Sequence, residues 1–128
     1  MDLPTVSGQI TFLYTNNLSA TADFYENTVG LELALDQRAC RIYKTAPAAF
    51  LGFCHREEIS KDHQDIIITL VTPEVDLWHK LFIQRGVSIE KPPALNPKFQ
   101  IYHFFFRDPN GYLIEIQRFL DPRWSQLK

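Results

Sequence analysis

The chain carries the same order of predicted elements twice, and this duplication restricts the folds it can adopt. A glycine ends a predicted helix in each half, Gly30 and Gly86, 56 residues apart. The positions that are apolar in both copies at this offset are Leu31 and Val87, Leu33 and Ile89, and Phe12 and Ile68. We interpret the halves as two βαβββ modules of about 50 residues each, because two copies are too few for a solenoid. Seven or eight strands with two helices predict an α+β fold.

The first module is predicted over residues 9–55. Gln9 to Thr15 is rich in β-branched and aromatic residues and predicts a strand. Asn16 and Asn17 interrupt it and offer a helix N-cap. Apolar residues then recur at helical spacing until Gly30, which predicts a helix. Three short strands are expected afterwards, over 31–36, 40–44 and 48–55.

The second module is predicted over residues 65–119, after a polar linker at 56–64. Its first strand is expected over 65–71. The run Thr72-Pro73-Glu74 predicts a helix start with Thr72 as N-cap, and the helix should end at Gly86. A short strand over 87–90 and a loop over 91–98, which holds three prolines, should follow. The whole chain, 1–128, is interpreted as a single domain.

A hairpin is expected near the end of the chain, between Tyr102 and Phe119. Two apolar runs flank Asp108-Pro109-Asn110-Gly111, a sequence typical of a tight turn. The second run places Glu115 in the middle of an apolar strand. A buried carboxylate is costly unless it has partners. Glu115 is therefore either a hydrogen-bonded structural group or the centre of a functional site.

Composition excludes several classes of protein. The 45% hydrophobic share and 22% charged share are those of a globular rather than a disordered chain. A net charge of −2 gives no electrostatic footprint for nucleic acid or an anionic membrane. No basic-then-apolar leader and no apolar run of about 18 residues is present, so we expect a cytoplasmic protein. On the same ground, Cys40 and Cys54 are expected to be free buried thiols rather than a disulfide.

Several short motifs carry a resemblance to a known family. In order along the chain they are Phe24-Tyr25, Gly30-Leu31, the run from Phe106 to Gly111, and Ile114-Glu115. The chain resembles the vicinal oxygen chelate superfamily, which includes glyoxalase I, fosfomycin-resistance proteins, extradiol dioxygenases and bleomycin-resistance proteins. The resemblance extends from Gln9 to Phe119. It implies paired βαβββ modules that form a curved mixed sheet around a cavity, usually completed in a homodimer.

The resemblance, together with strand alternation, predicts which side chains face that cavity. Glu115 and His103 are the candidate catalytic groups, with Glu115 as acid or base. The candidate ligand-binding residues are Ile10, Phe12, Asp65, Ile67, Phe105 and Gln117. Thr69 and Leu113 should lie on the same faces as these residues, whereas Phe104, Phe106, Ile114 and Ile116 should pack in the core.

The metal site of the superfamily is expected to be incomplete. Metal-dependent members use three ligands, and the resemblance aligns those positions with Ile10, Asp65 and Glu115. Ile10 has no atom that can bind a metal. We therefore expect no cofactor and no tight metal site, although Glu115 and Asp65 could hold Mg²⁺ or Mn²⁺ weakly, with His103 as a further ligand.

Two functions remain compatible with the sequence. One is an enzyme of the glyoxalase type, a lyase, isomerase or dioxygenase that acts on a small organic molecule through Glu115. The other is a metal-free protein that sequesters such a molecule, as bleomycin-resistance proteins do. The position of Ile10 favours the second function, and the position of Glu115 favours the first.

Overall fold

The structure is a computed structural model that describes residues 3–62 and 65–127. The chain divides into two compact units, Met1–Ser60 and Lys61–Lys128. Each unit is a βαβββ module, and the two four-stranded mixed sheets with their helices confirm the predicted α+β fold. Within the described residues, no helix is long and apolar enough to span a membrane.

In the first unit, the strand order is β1-β4-β3-β2. The elements are β1 (Gln9–Thr15), α1 (Leu18–Asp23), β2 (Glu32–Asp36), β3 (Cys40–Ala46) and β4 (Ala49–His55). β1 pairs with β4 in parallel, and the other pairs are antiparallel. Helix α1 continues as a π-helix, Phe24–Val29, which ends at Gly30 with φ +85°. The predicted N-cap is also present, because the side chain of Asn17 accepts a hydrogen bond from the backbone N–H of Ala20 at 3.0 Å.

The helix of the first unit covers one face of its sheet. The ring of Tyr25 stacks on Phe53 with centroids 4.5 Å apart and on Tyr43 at 6.1 Å. All three side chains are buried. On β1, Leu13 and Thr15 are buried while the alternate residues are exposed. This alternation defines a helix-covered face and an opposite face, which we call the open face.

In the second unit, the strand order β5-β8-β7-β6 repeats that of the first. The elements are β5 (Ile67–Val71), α2 (Val75–Gln84), β6 (Ile89–Asn96), β7 (Ile101–Arg107), β8 (Leu113–Phe119) and a C-terminal 3-10 helix (Pro122–Leu127). Phe82 of α2 packs against Phe104 and Phe106 of β7, and all three rings are fully buried. Ile114 and Ile116 of β8 are also buried.

The predicted hairpin joins β7 to β8. The backbone N–H of Gly111 donates to the carbonyl of Asp108 at 3.0 Å, and Gly111 has φ +90°. The Asp108 side chain also accepts from the backbone N–H groups of Asn110 and Tyr112, both at 2.9 Å. The side chain of Asp108 therefore stabilises the turn through hydrogen bonds to its backbone.

The prediction that Cys40 and Cys54 are free thiols was wrong, because they form a disulfide. The two residues lie directly opposite each other on the antiparallel strands β3 and β4. Such opposed residues have neighbouring Cβ atoms on one face of a sheet. The prediction rested on the cell compartment expected for the protein and ignored this strand register.

The predicted loop over 91–98 was also wrong, because β6 extends from Ile89 to Asn96. β6 is an edge strand, where Pro92 and Pro93 need not donate to a neighbour. Register shifts on either side of Lys91 show that the strand bulges around the prolines.

Two element starts lie later than predicted. Helix α2 begins at Val75 with Glu74 as its N-cap, not Thr72, although the Thr72 hydroxyl accepts from the Glu74 N–H at 3.1 Å. Strand β5 begins at Ile67, so Asp65 lies in an exposed turn before the strand.

Candidate functional site

The open face of the second sheet carries a buried carboxylate. Glu115 lies in the middle of β8 and is 7% exposed. Its neighbours along the chain, Ile114 and Ile116, point to the opposite, helix-covered face. Its neighbours across the sheet are Thr69 of β5 and Phe105 of β7. The next open-face position of β8 is Gln117, which is paired with His103.

Three side chains lie within hydrogen-bond distance of Glu115. Thr69 Oγ1 donates to Oε1 at 2.7 Å, and His103 Nδ1 is 2.5 Å from Oε2. The amide of Gln117 fits the site with its nitrogen towards Glu115, and it then donates to Oε1 at 3.1 Å and to Oε2 at 2.8 Å. A carboxylate has about four acceptor positions, so these contacts use its capacity fully.

The contact with Glu115 orients the imidazole of His103. The side chain of His103 is 15% exposed, and its ring meets the edge of Phe105 with centroids 4.9 Å apart. When Glu115 is ionised it only accepts, so Nδ1 carries the proton of a neutral imidazole and Nε2 becomes the acceptor. The described residues give Nε2 no hydrogen-bond partner. A histidine held in this way can exchange a proton at Nε2.

The structure therefore brings Glu115, His103 and Gln117 together and sets Phe105 beside them. Ile67 lies on the edge strand β5 and is 54% exposed. Asp65 lies outside that strand. The donor role of Thr69 was missed, although alternation had placed it on the correct face.

Ile10 and Phe12 lie on β1 of the first unit and are 43% and 49% exposed. The ring of Phe12 lies over Gly52, where an added Cβ would come within 2.6 Å of the ring. Any larger residue at position 52 would therefore have to displace the ring. Ile10 and Phe12, with Tyr14 at 46% exposure, form an exposed apolar row on this open face.

The three-ligand metal site implied by the resemblance does not fit these residues. Ile10 supplies only hydrocarbon, and Asp65 is not on the strand that carries Thr69. Both oxygens of Glu115 are already engaged by neighbouring side chains, Oε1 by Thr69 and Oε2 by His103. Within 3–62 and 65–127, no group of three or more His, Cys, Asp and Glu side chains is arranged to hold a metal ion.

The first unit contains a second polar cluster, which the sequence did not reveal. Glu26 Oε2 accepts from Tyr43 OH at 2.9 Å and from Arg41 Nη1 at 3.2 Å. Burial and the hydrogen bond to Glu26 raise the pKa of Tyr43 far above its usual value. Glu26 lies in the π-helix and Tyr43 on β3, so this cluster fastens the helix to the sheet.

Comparison with solved structures finds the same fold in other proteins. A lactoylglutathione lyase from Agrobacterium tumefaciens is 22% identical, with 90% of this chain and 95% of that chain covered and a TM-score of 0.71. TioX from Micromonospora sp. ML1 is 18% identical, with 90% and 100% covered and a TM-score of 0.76. A glyoxalase/bleomycin resistance protein/dioxygenase from Nocardioides is 20% identical, with 95% and 87% covered and a TM-score of 0.70.

The family is shown by the sequence itself. No curated protein matched the chain. The model of the Glyoxalase/Bleomycin resistance protein/Dioxygenase superfamily, however, matches residues 7–116. This match covers the first module and the second module as far as Ile116 in β8, so it includes Glu115. The chain belongs to the Glyoxalase/Bleomycin resistance protein/Dioxygenase superfamily.

Proposed function

We propose that this protein binds a small organic molecule on the open face of the second sheet and acts on it as a lyase or isomerase. The observation that supports this function is the contact between Glu115 Oε2 and His103 Nδ1, at 2.5 Å on a partly buried face. A carboxylate that orients a histidine in this way is a common arrangement for general acid–base catalysis.

In the proposed reaction, Nε2 of His103 takes a proton from a carbon next to a carbonyl group. The electron pair left on that carbon moves into the carbonyl and gives an enolate. In an isomerase, the imidazolium then returns the proton to a neighbouring atom. In a lyase, the enolate re-forms the carbonyl and expels a leaving group, with its electron pair, from the β-carbon, and the imidazolium gives its proton to that group. Glu115 holds the ring in position and stabilises its positive charge, while Thr69 and Gln117 hold the carboxylate.

We also propose that the reaction needs no tightly bound metal ion. The donor set supports this, because Ile10 cannot bind a metal and Glu115 is engaged by its neighbours. Purified protein should contain less than one equivalent of metal by elemental analysis. A full equivalent that is lost in Glu115→Ala would contradict the proposal.

Sequestration without chemistry is the second candidate function. The exposed apolar row of Ile10, Phe12 and Tyr14 supports it, because such a surface favours cover by an apolar ligand or by another chain. A homodimer is the assembly we propose, and light scattering after size exclusion would test it. If ligands bind but no proton is exchanged, sequestration is the better account.

Hydrogen–deuterium exchange separates the two functions. The protein is incubated in D₂O with a panel of small ketones and aldehydes, and loss of the α-proton signal is followed by NMR. His103→Asn keeps a donor near Glu115 but removes Nε2, so it should lower the exchange rate about 100-fold or more. Glu115→Gln should lower it as well.

The matched control is Tyr102→Phe. Tyr102 precedes His103 on β7, but its hydroxyl bonds to Asp76 of α2 on the helix-covered face. This variant should exchange protons at the wild-type rate. Exchange that survives His103→Asn unchanged would contradict the proposed role of the histidine.

A further inference from the structure

A cleft of about 330 Å³ lies in the second unit, where the end of β8 meets the C-terminal 3-10 helix. The residues that line it are Phe99, Phe119, Asp121, Arg123 and Trp124. Its volume lies at the lower end of the range of small-molecule pockets, about 300–1,000 Å³. None of the family motifs in the sequence includes these residues.

Aromatic faces dominate the cleft. Phe119 and Trp124 stack with ring centroids 4.1 Å apart and planes 17° from parallel. Phe99 is 60% exposed, so its ring is available for contact. The Trp124 Nε1 group is buried without a hydrogen-bond partner among the described residues, so ring contacts rather than a hydrogen bond hold the indole. Such walls favour a planar aromatic group.

The charges of the cleft cancel. Arg123 donates to Asp121 through Nη2 at 2.6 Å and through Nε at 3.0 Å. This pairing lowers the pKa of Asp121 to about 2. The aspartate and the arginine therefore form a neutral pair, which favours an uncharged ligand over an anion or a cation.

One wall of the cleft, Phe119, lies on the same face of the sheet as the candidate site. Phe119 lies two residues beyond Gln117 on β8, so both side chains point to the open face. Gln117 is paired with His103, and Phe119 is paired with Ile101. Two residues of strand span about 7 Å, which sets the distance along the sheet from the level of His103 to that of Phe119.

We propose that the substrate carries an uncharged planar aromatic group, which the cleft binds by stacking while a carbon next to a carbonyl reaches Nε2 of His103. The part of this inference that concerns the reacting carbon of the substrate rests on the proposed function. The cleft supplies selectivity for the aromatic group, and the spacing of about 7 Å between the two levels of the strand favours a short linker between that group and the reacting carbon.

A matched pair of ketones tests the proposal. Benzylacetone has a phenyl ring on a short linker to a methyl ketone, and its cyclohexyl analogue has a saturated ring of similar size. Affinity is measured by NMR titration and α-proton exchange by deuterium incorporation. We expect the phenyl compound to bind about threefold to tenfold more tightly than the analogue, from stacking alone.

Phe99→Leu should remove this preference and bring both ketones to similar affinity. Because the Phe99 side chain is mostly exposed, the variant should keep its fold. Trp124→Leu should act in the same direction, and Tyr102→Phe should change neither affinity nor preference. His103→Asn should lower the exchange rate about 100-fold or more and keep the preference for the phenyl ring.

The outcomes distinguish aromatic binding in the cleft from proton exchange at His103. Equal affinity for both ketones in the wild-type protein, with exchange intact, would overturn the aromatic cleft and leave the proposed function standing. A clear preference for benzylacetone without any exchange would support the cleft and contradict the proposed function. A preference that persists in both Phe99→Leu and Trp124→Leu would also overturn the cleft.

Discussion

The two sheets share one strand order but differ in chemistry on their open faces. On the first sheet, the pair Cys40 and Cys54 forms a disulfide that joins β3 to β4. On the second sheet, β7 and β8 carry His103 and Glu115 instead. The helix-covered faces, by contrast, are both aromatic and buried. The comparison indicates that packing constrains the covered faces alike, whereas the open faces differ, with a covalent link on the first sheet and a contact between a carboxylate and an imidazole on the second.

The largest effects should come from the covered faces, and they should be similar in the two units. Phe53 and Phe104 are each 0% exposed, so Phe53→Ala and Phe104→Ala should each lower the free energy of unfolding by about 3–5 kcal/mol. Circular dichroism during denaturant titration measures this loss. Leu77→Ala is the control, because Leu77 is 61% exposed and should change stability by about 0.5 kcal/mol or less. If one of these variants lowered the free energy of unfolding by less than about 1 kcal/mol and the other did not, the expected similarity of the two units would be contradicted.

The disulfide should have the next largest effect, and it should act on the first unit. Cys40 and Cys54 are 14 residues apart, and closing a loop of this size contributes about 3 kcal/mol in the chain-entropy model. Adding a reductant should therefore lower the melting temperature of the wild-type protein. The double variant Cys40→Ser with Cys54→Ser should melt at the reduced temperature whether or not a reductant is present. Identical melting of oxidised and reduced wild-type protein would contradict a stabilising disulfide.

The smallest effect concerns the link between helix and sheet in the first unit. Tyr43→Phe removes the hydrogen bond to Glu26 and should cost about 1 kcal/mol. Because folding raises the pKa of Tyr43, its contribution is present below the unfolded value of about 10 and is lost as the pH rises above it. Stability measured from pH 8 to pH 11 should thus fall less steeply in Tyr43→Phe than in the wild-type protein. Parallel curves for the two proteins would refute this assignment.

The sequence predicted the fold well where local patterns decide it. The helix ends at Gly30 and Gly86 and the turn over Asp108–Gly111 were predicted correctly. Local backbone preferences of glycine and of turn residues determine these boundaries, so they do not depend on distant contacts. Alternation also placed Glu115 and Gln117 on one face, because strand geometry leaves two choices, and the family resemblance placed His103 on the same face. Their roles in binding or catalysis stay predictions, as does a cytoplasmic location.

The sequence failed where an answer depends on which strands are neighbours. To predict the disulfide between Cys40 and Cys54, one must know the register of β3 on β4. To predict a strand through Pro92 and Pro93, one must know that β6 is an edge strand. The 56-residue offset between the two halves also gives a wrong correspondence between β1 and β5. Phe12 and Ile68 are both apolar, but Phe12 lies on the open face and Ile68 pairs with the buried Ile114. A shift of one residue along a strand exchanges its faces.

The tautomer of His103 tests the central claim most directly. Nitrogen NMR of the labelled imidazole distinguishes a proton on Nδ1 from one on Nε2. We predict that the neutral ring carries its proton on Nδ1, because Nδ1 lies 2.5 Å from Glu115 Oε2. In Glu115→Gln the proton should shift towards Nε2. A wild-type ring with its proton on Nε2 would contradict the account, because Nε2 could then not act as the base.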